Sequence, residues 1–370
     1  MSELFRPLTM RGVTVRNRAW VAPMCQYSAG PDGRPHDWHL VHLGGFAVGG
    51  AGLVMTEATA VDPAGRLSPA DTGLWDDAQA EAWAPIVRFV QEQGATAGVQ
   101  LVHAGRKACT SPPWDGQRPV PPDEGGWPTV GATSLPFGRL PAPTALDDAG
   151  IAAVVASFRR AAARARDVGF DVVELHAAHG YLLHQFLSPL VNTRSDRYGG
   201  GLVGRSRLLL EVVDAVREVW PDDRPLLVRV SATDWLEGGW DGDDTVALAR
   251  VLGGHGVDLV DCSSGGAVPD VAVPVGPRYQ VGFAERVRAE AGMPSAAVGL
   301  ITAPCEAEEI VARGQADAVM LGRELLRQPH WPLLAAAELG AADVSWPPQY
   351  AGARPAPRSR PTDNHLQEEQ

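Results

Sequence analysis

Short apolar runs alternate with amphipathic helical segments along most of this chain, and this alternation restricts the possible folds more than any other feature. The apolar residues within each run follow one another without strict alternation. Each run is therefore expected to be a strand covered on both faces, as in a parallel sheet. The eight predicted strands are residues 19–24, 52–58, 97–103, 171–177, 226–232, 258–264, 295–300 and 318–323.

Helical patterns separate these strands. The longest covers residues 146–169, with Thr144 or Asp147 as the N-cap and Gly169 at the C-terminal end. Eight β–α units in one chain predict an α/β fold whose parallel sheet closes into a (β/α)8 TIM barrel. An open, doubly wound sheet is the alternative. Further helices are predicted over residues 205–219, 244–253, 283–291 and 304–313.

Three segments lie outside the repeat. Residues 1–18 are predicted to form an N-terminal β-hairpin that closes the floor of the barrel. Residues 107–143 are rich in proline and glycine and form a long loop after the third strand, which on a barrel lies over the functional face. We expect residues 1–350 to form a single domain. Residues 351–370 are Pro-rich and polar and are expected to be a disordered tail.

Charge and cysteine spacing argue against several classes of function. The net charge is -12 and no Lys/Arg-rich run is present, which argues against a nucleic-acid partner. No stretch is apolar enough for a signal peptide or a membrane span, so we expect a cytoplasmic protein. The cysteines show no Cys-x-x-Cys spacing, which argues against a disulfide framework, a structural zinc site or an iron–sulfur cluster. They are Cys25, Cys109, Cys262 and Cys305.

Side chains at the carboxyl ends of barrel strands gather around one mouth, where barrel enzymes have their active sites. The predicted strand ends therefore identify a set of candidate site residues before any family is considered. The set comprises Pro23, Met24, Cys25, Gln26, Tyr27, Glu57, Ala58, Thr59, Gln100, His103, Arg106, His176, His179, Tyr181, Arg229, Ser263, Gly265, Gly266, Gly299, Gly322 and Arg323.

The last two strands predict a phosphate site. Barrels often bind phosphate with the loops after strands seven and eight, where backbone N–H groups lie next to glycine. Gly299 follows the seventh strand, and Gly322 and Arg323 follow the eighth, where a helix begins at once. The glycines alone would indicate no more than tight turns. The arginine beside them favours an anion site.

The histidine pair after the fourth strand has three interpretations. His176 and His179 are metal ligands if Glu174 or His184 completes the set. They are packing residues if nothing polar binds there. They are a pair of N–H donors if both converge on one oxygen, where they stabilise developing negative charge. We favour the third interpretation, with Tyr181 as the proton donor beside them.

Cys25 lies at the mouth, just after the first strand and two residues before Tyr27. Free cysteines are usually small buried hydrophobes. A nucleophilic cysteine needs an activating base, and no base is evident in the sequence. A covalent role is therefore the less favoured interpretation.

Several motifs, in their order along the chain, resemble the Old Yellow Enzyme family of FMN-dependent ene-reductases. They are "APMCQYS", "EATAV", "QLVHAGRKA", "ELHAAHGYLLHQFLSPLVNTRSDRYGG", "RVSATDW", "DCSSG" and "GRELLRQP". The resemblance runs from about residue 3 to residue 350 and is strongest to the bacterial YqjM-like and xenobiotic-reductase-like branch. One departure concerns the C-terminus: the branch often has an arginine where this chain has Gly352, and Arg354 comes two residues later.

The resemblance implies bound FMN. Arg229 would lie near the electron-rich edge of the flavin, Arg323 would hold the phosphate, and Cys25 would tune the flavin potential. The implied FMN-binding residues are Ala22, Pro23, Met24, Cys25, Ala58, Gln100, Arg229, Ser263, Gly265, Gly299, Gly322 and Arg323.

The resemblance also implies the reaction. NADPH or NADH reduces the flavin, and a small enone, enal or nitroalkene then receives a hydride and a proton. His176, His179 and Tyr27 would hold the substrate, and Tyr181 would protonate it. The family further implies a homodimer or homotetramer. The alternatives are a metal-dependent barrel hydrolase that uses the two histidines and a flavin-binding protein without catalytic activity.

Overall fold

Eight parallel strands close into a barrel in the computed structural model, which describes residues 2–355. Every predicted strand is present, so the TIM-barrel prediction is confirmed and the open-sheet alternative is wrong. Sequential strands are neighbours, and the last pairs with the first. The barrel strands are β3 (Ala19–Val21), β4 (Leu53–Ala60), β5 (Thr96–Val102), β8 (Val172–Ala177), β9 (Leu226–Ser231), β10 (Leu259–Ser263), β11 (Ser295–Ala297) and β12 (Ala318–Leu321).

The predicted N-terminal hairpin consists of β1 (Leu8–Met10) and β2 (Val13–Val15), which pair antiparallel. Met10 and Val15 are buried in one apolar cluster with Trp20 and with the inward-facing residues at the amino ends of the strands, such as Val172. This cluster seals one end of the barrel. The functional residues must therefore lie at the other end, beyond the carboxyl ends of the strands.

Helices cover the outside of the barrel. The longest begins after Asp147, whose side chain accepts the N–H of Gly150 at 2.8 Å, and ends at Gly169, which has a φ of 97°. Asp147 rather than Thr144 is thus the N-cap. The helices are α1 (Asp37–Val48), α2 (Asp77–Glu92), α3 (Asp148–Val168), α4 (Leu182–Leu187), α5 (Leu202–Arg217), α6 (Gly242–Gly254), α7 (Val281–Arg286, continued by a π-helical turn Val287–Ala291), α8 (Pro304–Ala312), α9 (Arg323–Arg327) and α10 (Trp331–Glu338).

Alternating residues of three adjacent strands form layers inside the barrel. From the floor towards the mouth, β8 presents Val172, Glu174 and His176, because residues two apart share a face. Strand β9 presents Leu227, Arg229 and Ser231 in the same way, and β10 presents Leu259, Asp261 and Ser263. The interior is therefore apolar at the floor, charged in the middle and polar at the mouth.

The long loop predicted after the third barrel strand is present. Between β5 and α3, it contains three short 3₁₀ turns (Gly105–Lys107, Pro113–Asp115 and Pro122–Glu124) and the two-residue strands β6 (Val130–Gly131) and β7 (Thr144–Ala145). At the C-terminus, Pro348–Ala353 forms a 3₁₀ helix. The remainder of the predicted tail, residues 356–370, lies outside the described residues. None of the helices described over residues 2–355 has the length and hydropathy of a membrane span.

Candidate active site

The two histidines lie together at the mouth of the barrel. The ring of His176 is 5.0 Å from the ring of His179 and 4.9 Å from the ring of Tyr181, each nearly perpendicular to it. The Nε2 atom of His176 is 3.3 Å from Nδ1 of His179. The structure thus brings together three of the predicted catalytic residues.

Hydrogen bonds indicate which nitrogen of each ring carries the proton. The Ala178 N–H donates to His176 Nδ1 at 3.2 Å, so the proton of a neutral His176 is on Nε2, facing His179. His179 Nε2 lies 2.7 Å from Ser263 Oγ. Ser263 Oγ donates to Gln280 Oε1 at 3.4 Å and so accepts from His179, which places the proton of His179 on Nε2 and lets its Nδ1 accept from His176 Nε2–H. In a second state, in which Ser263 donates to His179 instead, the proton is on Nδ1. In the second state, two ring N–H groups point into one space.

Both histidines are neutral at pH 7. Burial lowers the pKa of His176 well below its usual value, and the positive charge of Arg229 lowers it further. The same two causes, in the same order, lower the pKa of His179. Two uncharged donors are the arrangement needed to hold a carbonyl or nitro oxygen without making an ion pair with it.

The backbone around His179 is held in an unusual conformation. His179 has a φ of 57° and Gly180 a φ of 75°. The His179 N–H donates to Ser231 Oγ at 2.9 Å, and that hydroxyl donates to the Gly265 carbonyl at 2.8 Å. A Cβ atom on Gly266 would come within 2.7 Å of the His179 backbone, so this close approach requires glycine. The loop after β10 therefore braces the histidine turn.

Lys107, the only lysine of the chain, is the second brace. Its Nζ donates to the His179 carbonyl at 2.8 Å and to the Gly266 carbonyl at 3.3 Å. The ammonium also lies 5.3 Å from the centre of the Tyr181 ring, within cation–π range. Burial, followed by the charge of Arg106, lowers the pKa of Lys107 to about 8.

A layer of four polar side chains lies one step deeper in the barrel. We call it the interior polar layer: Gln100, Glu174, Arg229 and Asp261. Arg229 Nε is 2.9 Å from Asp261 Oδ2, and Gln100 Nε2 donates to Glu174 Oε1 at 2.7 Å. Glu174 Oε2 is buried without a hydrogen-bond partner among the described residues. The ion pair with Asp261 involves Nε of Arg229. The terminal amino groups of Arg229 therefore remain available to a ligand on the mouth side of this layer.

A small cavity lies at the ends of β11 and β12, where the sequence predicts a phosphate site. It has a volume of about 170 Å³ and is lined by Ser263, Gly299, Gly322 and Arg323, among others. Gly299 has a φ of 128°, which an L side chain rarely adopts. Over residues 2–355, Arg323 is engaged in no ion pair. The following helix α9 has five residues, so few peptide dipoles add to the site, and the guanidinium and backbone N–H groups dominate.

Cys25 and Tyr27 line the mouth from the loop after β3. Burial raises the pKa of the Cys25 thiol well above its usual value, and the charges of Asp71 and Glu57 raise it further. The thiol is therefore protonated, which argues against a nucleophilic role. Tyr27 has a φ of 50°, and burial also raises its pKa.

A register shift in β4 explains the position of this loop. The pairing of β4 with β5 shifts between Met55 and Ala58. The displaced Glu57 accepts the N–H of Gln26 at 2.8 Å and lies 3.1 Å from Nε2 of the buried His39. Such irregularities commonly lie beside active sites, where they redirect a side chain. Here the redirected carboxylate holds the Cys25–Tyr27 loop in place.

The long loop after β5 contributes Lys107 and lies over Tyr27 and Tyr181. Between them lies a cavity of about 540 Å³, also lined by Leu67, Phe137 and Leu140. Arg106, buried at the base of this loop, donates to the carbonyls of Leu135 at 3.0 Å and Ala267 at 2.5 Å. The cavity has the size and the mostly apolar wall of a small-molecule site.

The geometry argues against the metal interpretation. His184 is not free to join the histidine pair, because its Nε2 is 3.2 Å from the buried Asp234 and its Nδ1 accepts the Gly180 N–H at 2.9 Å. Throughout the described part of the chain, no three His, Cys, Asp or Glu side chains form a group with metal-binding geometry. Glu174, the other candidate ligand, is bonded to Gln100 instead.

Most of the predicted residues line the mouth, but some have a bracing position. His103 and Arg106 hold loops, and Gly265 contacts Ser231 rather than lining the phosphate cavity. Its role as a flavin contact stays a prediction. Arg354 donates to the Ala342 carbonyl at 3.1 Å. Sequence reasoning missed Asp261, Ser231 and the bracing role of Lys107; the one available signal was that a chain with a single lysine has it directly after "QLVHAGR".

Known proteins are similar to this chain over nearly its whole length. The model of the NADH:flavin oxidoreductase / NADH oxidase family matches residues 3–341. An NADPH dehydrogenase of Geobacillus thermodenitrificans is 46% identical over 349 residues, which cover 94% of this chain and 97% of that protein. An NADPH dehydrogenase of Listeria monocytogenes is 46% identical over 355 residues, covering 95% and 99%.

Solved structures share this fold. Morphinone reductase superposes with a TM-score of 0.77 and 30% sequence identity over 94% of this chain and 92% of that one. An old yellow enzyme homologue from Zymomonas mobilis superposes with a TM-score of 0.76 and 26% identity over 96% and 99%. In each comparison, the similar region covers more than nine tenths of this chain and of the other protein.

Proposed function

The chain belongs to the NADH:flavin oxidoreductase / NADH oxidase family, the Old Yellow Enzymes, and from this premise we propose that it reduces the activated C=C bond of α,β-unsaturated carbonyl or nitro compounds. It is an FMN-dependent NAD(P)H oxidoreductase that acts on small molecules. The observation that carries the finer proposal is the pair of neutral histidines, which lie beside Tyr181. Tyr181 in turn lines a cavity of about 540 Å³.

The residues of the mouth fit FMN. Arg229 presents terminal amino groups that lack a protein partner in the described chain, Gln100 lies two strands away in the same layer, and Arg323 borders a small cavity beside Gly299. A cation at each end of the site suits a cofactor with a phosphate at one end and an electron-rich ring at the other. When bound, FMN supplies the two-electron chemistry by accepting a hydride from NAD(P)H and passing it on.

The assigned cofactor contacts follow from these positions. Arg323 and the backbone beside Gly299 and Gly322 would hold the phosphate. Gln100 and Arg229 would contact the pyrimidine end of the ring. The loop from Ala22 to Cys25, with Ala58 and Ser263, would bound the rest of the ring.

The histidine pair orients the substrate and stabilises the charge that develops on it. As the β carbon accepts the hydride, negative charge accumulates on the carbonyl or nitro oxygen. His176 Nε2–H and, when Ser263 donates to its Nε2, His179 Nδ1–H would both point at that oxygen. Donors fixed in advance stabilise such charge without reorganisation during the reaction.

Tyr181 completes the reaction as the proton donor. Burial raises its pKa well above its usual value, so the phenol remains protonated over the whole working range of pH. Its proton is released only to a strong base, which the α carbon becomes once the β carbon has been reduced. The Lys107 ammonium over the ring then stabilises the phenolate until water returns the proton.

The visible spectrum of the purified protein tests this proposal. We expect a flavin band that bleaches anaerobically with NADPH and returns when cyclohexenone is added. A band that bleaches but does not return with enones or nitroalkenes would contradict the substrate class. A band that bleaches with neither NADPH nor NADH would favour the flavin-binding protein without turnover.

Replacing Arg323 with methionine should weaken FMN binding roughly 10- to 100-fold, because one charge-assisted hydrogen bond to phosphate contributes about 1.5–3 kcal/mol. The dissociation constant of FMN, measured by fluorescence quenching of the apoprotein, checks this. Arg313→Met is the matched control, since Arg313 is exposed directly after α8 and pairs with Glu309. Equal affinity in the two variants would remove Arg323 from the phosphate site.

Replacing Lys107 with methionine should lower the rate of enone reduction roughly 10-fold. The change leaves the half-buried His179 carbonyl without its charged donor, at a cost of about 1–2 kcal/mol, and loosens the histidine turn. Lys107→Arg keeps the charge and should recover part of the rate. Stopped-flow reoxidation of the reduced flavin measures the effect. A wild-type rate in Lys107→Met would show that the brace is unnecessary.

The predicted homodimer or homotetramer stays a prediction, which light scattering of the holoenzyme would test. Comparing the steady-state kcat/KM for NADPH with that for NADH would show which of the two is the preferred reductant. The names of the curated relatives favour NADPH.

A further inference from the structure

The interior polar layer contains an imbalance of charge. Three of its members are ionisable: Arg229, Asp261 and Glu174, and each is nearly or fully excluded from solvent. Arg229 forms its ion pair with Asp261 at 2.9 Å. Glu174 is left with a neutral amide, the Gln100 Nε2 that donates to its Oε1 at 2.7 Å. One guanidinium cannot balance two sealed carboxylates, so one of the two is expected to bind a proton.

The surroundings of Glu174 identify it as the protonated carboxyl. The neighbouring strands β5 and β9 bring Gln100 and Arg229 beside it, and β10, the strand after β9, carries Asp261. On its own strand the neutral His176 lies above it and Val172 below. Over residues 2–355, Glu174 Oε2 and both oxygens of Asp261 are buried without a hydrogen bond, and burial raises the pKa of Asp261 as well. Asp261, however, lies 2.9 Å from the cationic Arg229 Nε, whereas the hydrogen-bond partner of Glu174 is the neutral Gln100 amide on Oε1. Burial and the negative charge of Asp261 raise the pKa of Glu174 to about 8, although Arg229 and Gln100 oppose the shift.

We propose that Glu174 is a neutral carboxylic acid in the resting enzyme and that its proton keeps the interior polar layer able to stabilise the negative charge that reduction places on the flavin. The inference rests on the proposed function, because it assumes that the flavin ring lies against Gln100 and Arg229. Glu174 then acts through these two residues and is a positioning residue rather than a catalytic one.

The sign of the effect follows from the charges. With Glu174 protonated, Arg229 and Asp261 sum to zero and the guanidinium can face a negative ring. With Glu174 ionised, the layer has a net charge of −1 and opposes reduction. Above about pH 8, reduction by NADPH should therefore be accompanied by one extra proton, taken from solvent onto the Glu174 carboxylate, while NADPH gives its hydride and leaves as NADP⁺. The equilibrium constant for reduction should then fall about tenfold per pH unit.

Infrared spectroscopy of the wild-type holoenzyme tests the proton directly. We expect the carbonyl stretch of a protonated carboxylic acid at pH 7, which shifts in D₂O and disappears as the pH passes about 8. The band should be missing in Glu174→Gln and present in Glu218→Gln, where an exposed carboxylate that pairs with Arg159 is removed. No such band in the wild type, or a band that disappears below about pH 6, would overturn the proposal.

The reduction potential of the bound flavin tests the consequence. We expect the wild type and Glu218→Gln to show a steeper decrease with pH above about 8, and Glu174→Gln to lack this break. A break that persists in Glu174→Gln would overturn the assignment. Dithionite can replace NADPH as the reductant. If NADPH fails to reduce the flavin, the proposed function is contradicted, but the Glu174 proposal can still be tested with dithionite. The infrared titration tests the proton in the wild type and does not depend on whether any variant folds.

Discussion

Replacing His176 with alanine is expected to lower the rate of enone-dependent flavin reoxidation roughly 10²- to 10³-fold, with the flavin still bound. This is the usual effect of removing one donor from an oxyanion site, about 2.7–4 kcal/mol of transition-state stabilisation. His179→Ala should have an effect of the same size, because its Nδ1 lies 3.3 Å from the Nε2 of His176 and both nitrogens face one space. Anaerobic stopped-flow reoxidation with cyclohexenone measures both rates.

Two further variants make this result specific. His179→Asn retains one N–H donor and should recover part of the lost rate. His255→Ala removes a partly exposed histidine that pairs with Asp214 and should behave as the wild type. Since both site histidines are already neutral at pH 7, their removal should not introduce or abolish a pH limb near 6.5. A reoxidation rate within a factor of two of wild type in both alanine variants would rule out the oxyanion role.

Replacing Tyr181 with phenylalanine is expected to slow the same half-reaction by roughly 10²-fold or more, within the range of general acid catalysis. The ring and its packing against His176 remain, so substrate binding should change little and the loss should be found in the rate constant rather than in the apparent affinity. Flavin reduction by NADPH does not need the phenol and should be nearly unaffected.

The position of deuterium in the product formed in D₂O is a second measurement on the Tyr181 variant. A donor fixed on one face delivers deuterium to one face of the α carbon, whereas protonation by water would be less selective. We therefore expect the wild type to label one face and Tyr181→Phe to lose part of this selectivity. Tyr350→Phe, which changes a half-exposed residue of the C-terminal 3₁₀ helix, is the control. Unchanged rate and selectivity in Tyr181→Phe would assign the proton to another donor.

The barrel could be predicted from the chain because its strands are covered on both faces. Continuous apolar runs such as residues 226–232 contrast clearly with the helices between them, and all eight predicted strands are present. The predicted ends of the strands and helices were less accurate, however. The first strand ends at Val21 rather than residue 24, because the backbone turns away to form the loop of Cys25 and Tyr27.

The site was predictable only as far as the strand ends could be located. The position of His176, His179 and Tyr181 at the mouth could be predicted because His176 is the penultimate residue of β8 and the other two follow the strand within four residues. The bracing role of Lys107 could not be predicted, because its contact with the His179 carbonyl joins two loops that are 72 residues apart in the chain. No local pattern reports such a contact.

By itself, the sequence determined the order of strands and helices, the end of the barrel at which the polar residues collect and, through its motifs, the flavoenzyme family. These properties depend on residue type and short-range periodicity, which are present in the chain before it folds. Only the tertiary structure decided that Glu174, Arg229 and Asp261 share one sealed layer, and that Ser263 and Lys107 orient the histidine turn. Charge balance, tautomers and pKa values depend on distances between residues remote in sequence, and closing the barrel sets those distances.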